Sequence, residues 1–287
     1  MTFADRLAAL PHLGLGISTE YGAGDRPGAL DVAALRAERP DLFLEVGVEV
    51  AVGLDPHARA WAAHGWPTTY HFLDVNLDDP EDLDPRWLSG VREAIETLRP
   101  AWLCGDAGLW HFAARDRGHM LLLPPILTPE AVAPMADGVR ALREATGLEV
   151  LPETPPGTVF VGPLHLLDFF GRLAEAADTG VLLDVAHLAM FQRARGHALL
   201  DGFDGFPWDR VVEVHVAGGV LHELDGLAWI EDAHGVEVLP EVWALTDAVL
   251  GRARQCRAVV VEAERNPLPA VSALMTAVDA RWARAGR

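Results

Sequence analysis

GVLLDVAH, residues 180–187, is a near-continuous apolar run closed by a carboxylate and an imidazole three residues apart. Such a run reads as a buried parallel strand. A strand end that offers Asp184 and His187 to a cleft suits metal chemistry better than fold architecture. The same grammar recurs along the chain. TTYHF carries His71, EVLPET ends near Glu153, VVEVHVAG carries His215 and AVVVEAE carries Glu262. A loop after VVEVHVAG adds Asp232 and His234, whose D-x-H spacing puts both side chains on one side of an extended segment.

Singly, each residue has a bland reading: a strand-end histidine is commonly structural, and a glutamate after a strand can cap the next helix. Jointly that reading weakens. Two like charges about 4 Å apart repel by roughly 4 kcal/mol at an effective dielectric near 20. Four carboxylates therefore share a partly desolvated site only with cations or protons present. The chain has no lysine, and few arginines fall near these ends. Two divalent ions would offset the charge, and three would leave an excess for a bridging hydroxide. Imidazole with carboxylate and no thiolate suits iron, manganese or zinc.

The elements that must hold these groups alternate between short apolar runs and helical stretches. Strands are expected at 14–18, 42–47, 68–72, 101–106, 149–154, 180–187, 211–218 and 258–264. Helices are expected at 31–39, 57–65, 85–98, 128–146, 163–177, 240–254 and 269–285. Trp87, Val91, Ile95 and Leu98 share one helical face, and Thr128 caps a helix whose first residue is Pro129. Eight such repeats in 287 residues point to a single (β/α)8 TIM barrel over 1–287, with a doubly wound open sheet as the alternative. In a barrel every strand's carboxyl end faces one mouth, which collects the candidate residues. The stretch 108–129 is long enough to be a lid or binding loop.

A net charge of −19 argues against nucleic acid, which requires clustered cations, and favours steering of cations or a basic peptide. Two cysteines, Cys104 and Cys256, form no disulfide framework, and Cys104 is expected to pack as a small apolar residue. The N-terminal MTFADRLAALPHLG is no signal peptide, and no apolar run of about 18 residues is present. A reducing, cytoplasmic setting without membrane association is the expectation.

Taken in order, LPETP, LLDVAH, EVHVAGG, EDAHG and VVVEAERN resemble the motifs of the multinuclear non-heme iron-dependent oxidative enzymes, the methanobactin biosynthesis oxidase-like family. TTYHF and GLGIS are similar to that family's first half. The resemblance implies a xylose-isomerase-like barrel holding two or three irons. It also implies molecular oxygen as co-substrate and oxidation of a ribosomally made peptide, often at cysteine, in natural-product biosynthesis. A separate peptide-recognition protein is the implied partner. Carried over residue by residue, the metal ligands are His71, Glu153, Asp184, His187, His215, Asp232, His234 and Glu262. Glu153 is the implied bridging carboxylate, and Glu153, Asp184 and His215 are the implied catalytic core.

Two departures stand out. The family places a second histidine at the end of strand four, where this chain has Asp106 in CGD; His111, five residues on, is not assigned. An asparagine usual in the family beside His187 is Ala186 here. Two other readings remain open. One is a sugar isomerase or epimerase using manganese or zinc on the same barrel. The other is a non-catalytic metal- or peptide-binding barrel, for which Asp106 speaks. A related three-zinc endonuclease barrel is disfavoured by the negative charge.

Overall fold

The computed structural model describes residues 2–19, 30–112, 117 and 121–286. Eight parallel strands close on themselves: β1 (Gly14–Thr19), β2 (Phe43–Val48), β3 (Thr68–Phe72), β4 (Leu103–Asp106), β5 (Val150–Glu153), β6 (Val181–Asp184), β7 (Val211–Leu224) and β9 (Ala258–Glu262). Each pairs with the next in chain order; β6 pairs with β7, β7 with β9, and β9 with β1 to complete the ring. Between β7 and β9, β8 (Leu227–Gly235) folds back antiparallel on the extended end of β7.

The helical shell consists of α2 (Val32–Glu38), α3 (Pro56–Ala63), α4 (Pro85–Leu98), α5 (Pro129–Thr146), α6 (Leu166–Ala177), α7 (Val185–Arg195), α8 (Pro240–Arg252) and α9 (Leu268–Arg284). Local chemistry starts several of them the same way. Asp55, Asp84 and Thr128 each accept a backbone N–H of the first turn, and proline follows at the next position. A short helix, α1 (Phe3–Leu7), is opened by a capping box between Thr2 and Asp5 and was not expected. Its Phe3 and Leu7 pack with Phe43, Trp102, Leu151, Leu182 and Val260 to fill the barrel's lower interior.

That interior changes character along each strand. Alternate residues of a strand face the same side, about 7 Å apart. On β5, Leu151 is followed two residues later by Glu153. On β6, Leu182 is followed by Asp184, and on β9 Val260 by Glu262. On β3, β4 and β7 the lower position is already polar: Thr69 below His71, Cys104 below Asp106, and Glu213 below His215. Below the mouth the interior is thus apolar on β5, β6 and β9 and polar on β3, β4 and β7, and the mouth itself is acidic.

Two elements differ from the sequence reading. The sixth strand was expected to run to His187, but it stops at Asp184, whose Oδ1 caps α7 by accepting the N–H of His187 at 2.5 Å. His187 therefore sits on the first helical turn. The seventh strand was expected to end at Gly218, with Asp232 and His234 in a loop. The strand instead continues to Leu224 and turns through Asp225-Gly226, so both residues lie on β8. Asp225 and Gly226 both have positive φ, +50° and +81°, as a tight two-residue hairpin requires. Part of the expected lid, residues 113–116 and 118–120, lies outside the described residues.

Candidate metal centre

All nine residues singled out from the sequence meet at the barrel mouth, brought there by seven strands and the first turn of α7. The contacts run without a break from one to the next. His71 Nε2 is 2.7 Å from Glu153 Oε2. Glu153 Oε1 is 3.4 Å from His215 Nδ1 and 3.6 Å from His187 Nδ1. His215 Nδ1 is 3.2 Å from Glu262 Oε1, and Glu262 Oε2 is 3.8 Å from His234 Nε2. Asp232 Oδ2 lies 3.2 Å from His187 Nε2 and 3.3 Å from His234 Nε2. Asp106 and Asp184 each lie 3.8 Å from His187 Nδ1.

Glu153 belongs to two ligand-sized groups, one with His71 and Asp106, the other with Asp184 and His187; within each, one donor atom per residue lies within 4.8 Å of the others. Asp106 thus has a seat in the first of these groups, at the position where the resemblance implies a histidine. It reaches that seat because Gly105, at φ +151°, presses β4 against β3, where a Cβ would meet the Phe72 carbonyl oxygen at 2.6 Å.

Two imidazoles have their ring orientation set by neighbours. His187 Nδ1 is 2.8 Å from the Thr154 carbonyl, which takes the Nδ1 proton and turns Nε2 toward Asp232. His234 Nδ1 is 2.8 Å from Glu264 Oε1, which likewise leaves Nε2 facing Asp232 and Glu262. The Asn266 amide holds the His234 carbonyl at 2.7 Å. Holding one ring nitrogen so that the other faces an ion is the usual outer support of a histidine ligand. On this ground His187 groups with Asp232 and His234 more naturally than with Asp184.

The electrostatics describe a charge cluster closed by protons. Burial pulls His71 down, but its hydrogen bond to Glu153 and the charges of Glu45, Glu153 and Asp106 push it up to about 10. Burial likewise opposes protonation of His187, yet Asp184 and Asp232 hold it well above the usual imidazole range. Burial, with the charges of Glu262 and Glu153, raises Asp184 to about 7. Burial and the Glu153 charge put Asp106 well above the usual carboxylate range. Burial also acts against Glu153, but His215 and His71 hold it ionised.

Several buried polar atoms in this cluster have no hydrogen-bond partner: His71 Nδ1, Asp106 Oδ1, Asp184 Oδ2, both ring nitrogens of His215, Asp232 Oδ1 and Glu262 Oε2. Orphaned buried donors and acceptors are costly and call for an explanation. Nitrogen and carboxylate oxygen atoms converging in this way fit divalent iron, manganese or zinc.

The sequence reading missed three supports. Glu45 on β2 lies 3.1 Å from His215 Nε2 beneath the cluster. Glu264 and the Thr154 carbonyl hold His234 and His187. Glu264 follows Glu262 by two residues, and Glu213 precedes His215 by two, so strand parity alone was a usable signal for both. His111 lies elsewhere, 2.9 Å from Asp82 Oδ2.

The profile of a family described as RiPP precursor modification enzyme MbnB/TglH/ChrH matches residues 21–284. A UPF0276 protein of Neisseria meningitidis serogroup C is 25% identical over 289 residues, covering 97% of this chain and 98% of that protein. A UPF0276 protein of Caulobacter vibrioides is 26% identical over 277 residues, covering 93% and 95%. Among solved structures, a xylose isomerase-like TIM barrel protein from Mycobacterium smegmatis in complex with magnesium superposes with a TM-score of 0.60 at 11% identity, covering 97% of this chain and 98% of that one. A D-psicose 3-epimerase from Clostridium cellulolyticum with D-tagatose gives 0.56 at 11%, covering 94% and 98%. These superpositions establish the xylose-isomerase-like barrel.

Proposed function

The chain belongs to the RiPP precursor modification enzyme family MbnB/TglH/ChrH, and from that premise we propose that it is a non-heme iron oxidase or oxygenase. In this reading two or three irons act with molecular oxygen on a ribosomally made peptide, with cysteine the favoured target, in natural-product biosynthesis. The observation that carries the reading is the run of nine carboxylate and imidazole residues at the mouth, with Glu153 shared between two ligand-sized groups and seven buried atoms without a well-formed hydrogen bond.

His71, Asp106 and Glu153 would hold one ion. Glu153, Asp184, His215 and Glu262 would hold a second, with Glu153 as the bridge, and His187, Asp232 and His234 a third. Iron bound there would supply the dioxygen and one-electron chemistry of an oxidation. The chain's own residues do the rest. Thr154 and Glu264 orient two imidazoles, Glu45 lies against a third, and Asp106 and Asp184 hold protons that must leave when a cation enters. The acidic mouth favours a neutral or basic peptide, which would arrive alone or on a peptide-recognition protein. No described helix is long and apolar enough to cross a membrane, and both cysteines are buried thiols. A cytoplasmic, single-domain enzyme is part of the proposal.

Metal analysis of protein purified without oxygen, with Mössbauer and EPR spectra, tests it. Two or three irons per chain with a coupled-cluster signal support the oxidase. Stoichiometric zinc or manganese would point to isomerase or hydrolase chemistry on this barrel. A chain that takes up no metal after reconstitution would be a binding module.

A further inference from the structure

Beside the cluster lies a cavity of about 400 Å3 whose lining is mostly apolar. Its walls come from the segment ahead of α5 (Leu123), the loop after β5 (Val159), α7 (Met190) and β8 (Trp229, Ile230). Met190 and Ile230 form a buried base. Val159 is 70% exposed and Leu123 44%, so the upper wall is apolar surface that the chain does not cover. The two loops that form the wall are already closed on each other: a Cβ on Gly157 would come within 2.6 Å of the Pro124 ring. At the cavity's edge stands Asp232, whose Oδ2 is 3.2 Å from His187 Nε2. Cavity and cluster therefore share a residue.

The lining discriminates among ligands. Among the described residues it holds no arginine, and its charged members are Glu231 and Asp232. An anionic group such as a sugar phosphate is repelled there. The volume sits near the lower end of ligand pockets, which run from about 300 to 1,000 Å3. We propose that the cavity is a subsite for one large apolar or aromatic side chain of the substrate, adjacent to the residue that reaches the metals. The inference rests on the peptide reading for its occupant, and on the cavity's own lining for the chemistry it selects. Such a pocket gives specificity in a peptide that the acidic cluster cannot, because burial of apolar area discriminates by size and shape.

The test uses the full chain labelled with 5-fluorotryptophan and followed by 19F NMR. The nine tryptophans give the spectrum, and Trp229→Phe identifies the Trp229 signal. The probes are N-acetyltryptophanamide, N-acetylleucinamide and N-acetylglycinamide. The expected result is a saturable shift of the Trp229 signal by the first two, with the glycine amide at least about 10-fold weaker. Val159→Glu, a change at an exposed position, should weaken the tryptophan amide at least about 10-fold. Equal response to all three amides, no response, or a preference that survives Val159→Glu would overturn the subsite. Capped tripeptides carrying tryptophan at each position form a separate arm. Tighter binding than the simple amide supports both readings. Selective amide binding with no gain from peptide context would leave the subsite standing and sink the peptide reading.

Discussion

Glu149, immediately before β5, and Glu153, at its end, stand four residues apart, both buried, and the chain treats them in opposite ways. Glu149 accepts hydrogen bonds from Arg6 Nε at 2.7 Å, Arg6 Nη2 at 3.3 Å and Thr179 Oγ1 at 2.7 Å, with Arg143 3.9 Å away. Glu153 meets only imidazoles, those of His71, His187 and His215. At the base of the barrel the sequence provides a permanent cation, and the carboxylate is a brace between α1 and the sheet. At the mouth it provides titratable groups that can leave or turn. The difference separates a charge held by a permanent cation from one met by titratable groups, and it yields tests that should move one end and spare the other.

The largest effect is expected at the mouth. Ions that bind the folded chain at about 1,000 times their dissociation constant stabilise it by about 4 kcal/mol per independent site. Anaerobic ferrous iron should therefore raise the melting temperature of the wild-type chain markedly. Glu153→Gln should lose at least one ion per chain and most of that rise, while its metal-free circular dichroism stays that of the wild type. Metal content by plasma mass spectrometry alongside thermal melts decides it. Full stoichiometry in both Glu153→Gln and Asp184→Asn would falsify the cluster.

Next comes the base. Removing one partner of a buried ion pair costs about 3–5 kcal/mol because the other charge is left buried. Arg6 is 19% exposed and Arg143 remains nearby, so Arg6→Ala is expected to cost about 2–3 kcal/mol by urea denaturation. Its metal content should match the wild type. A loss of metal in this variant would mean that the two ends are coupled, and the contrast drawn between them would fail.

Acidity sharpens the contrast further. In the metal-free chain Asp184 titrates at about 7 against an ordinary 3.8, and His71 at about 10 against 6.5. Both hold their protons longer when folded. Stability from Asp184 therefore falls as pH rises from about 4 to 7, and that from His71 is full below 6.5 and lost towards 10. Chelator-treated protein should melt progressively lower from pH 5 to pH 9. Entry of cations expels those protons, so metal affinity should rise over the same range and the loaded protein should show the reverse trend. Parallel melting curves for the two forms would show that the mouth's protons and the ions do not compete.

The barrel and its nine mouth residues were legible because each parallel strand reads as an apolar run and its polar closure marks the open end. Two elements that shift those residues were not read. α7 is buried on all sides from Val185 to Gln192, so it has no amphipathic period to distinguish it from a continued strand, and an Asp three residues before a His fits a strand end as well as a helix cap. The β7–β8 hairpin did carry a signal, Asp225-Gly226 between apolar flanks, but the functional D-x-H drew the segment into a loop assignment. Glu45 stayed hidden for another reason. A single acid within LFLEVG has no partner in sequence, and only the register with Thr69 on β3 brings it over the barrel axis.

Between base and mouth lies a third arrangement, and it supports the smallest prediction. Cys104 Sγ donates to Glu45 Oε2 at 3.1 Å, Thr69 Oγ1 donates to the same oxygen at 3.2 Å, and Trp102 Nε1 donates to Glu213 Oε2 at 2.7 Å. Glu45 has the His215 imidazole beside it at 3.1 Å, whereas Glu213 has no ion-pair partner among the described residues; burial and the Glu45 charge raise Glu213 to about 8, so it keeps its proton at neutral pH. Burial also keeps Cys104 a neutral thiol, well above the usual range. Thus the residue expected as a plain small apolar filler is also a hydrogen-bond donor to a charge. Cys104→Ser retains a donor and should shift stability by less than about 1 kcal/mol, whereas Cys104→Val removes it and should cost about 1–2 kcal/mol. Neither should change metal content. The alternative is concrete, because Glu45, Cys104 and Glu213 also lie within 4.8 Å of one another. If Cys104→Val instead lost one ion per chain, this layer would be a thiolate site, and the acidic mouth would have to be redrawn as extending one layer down.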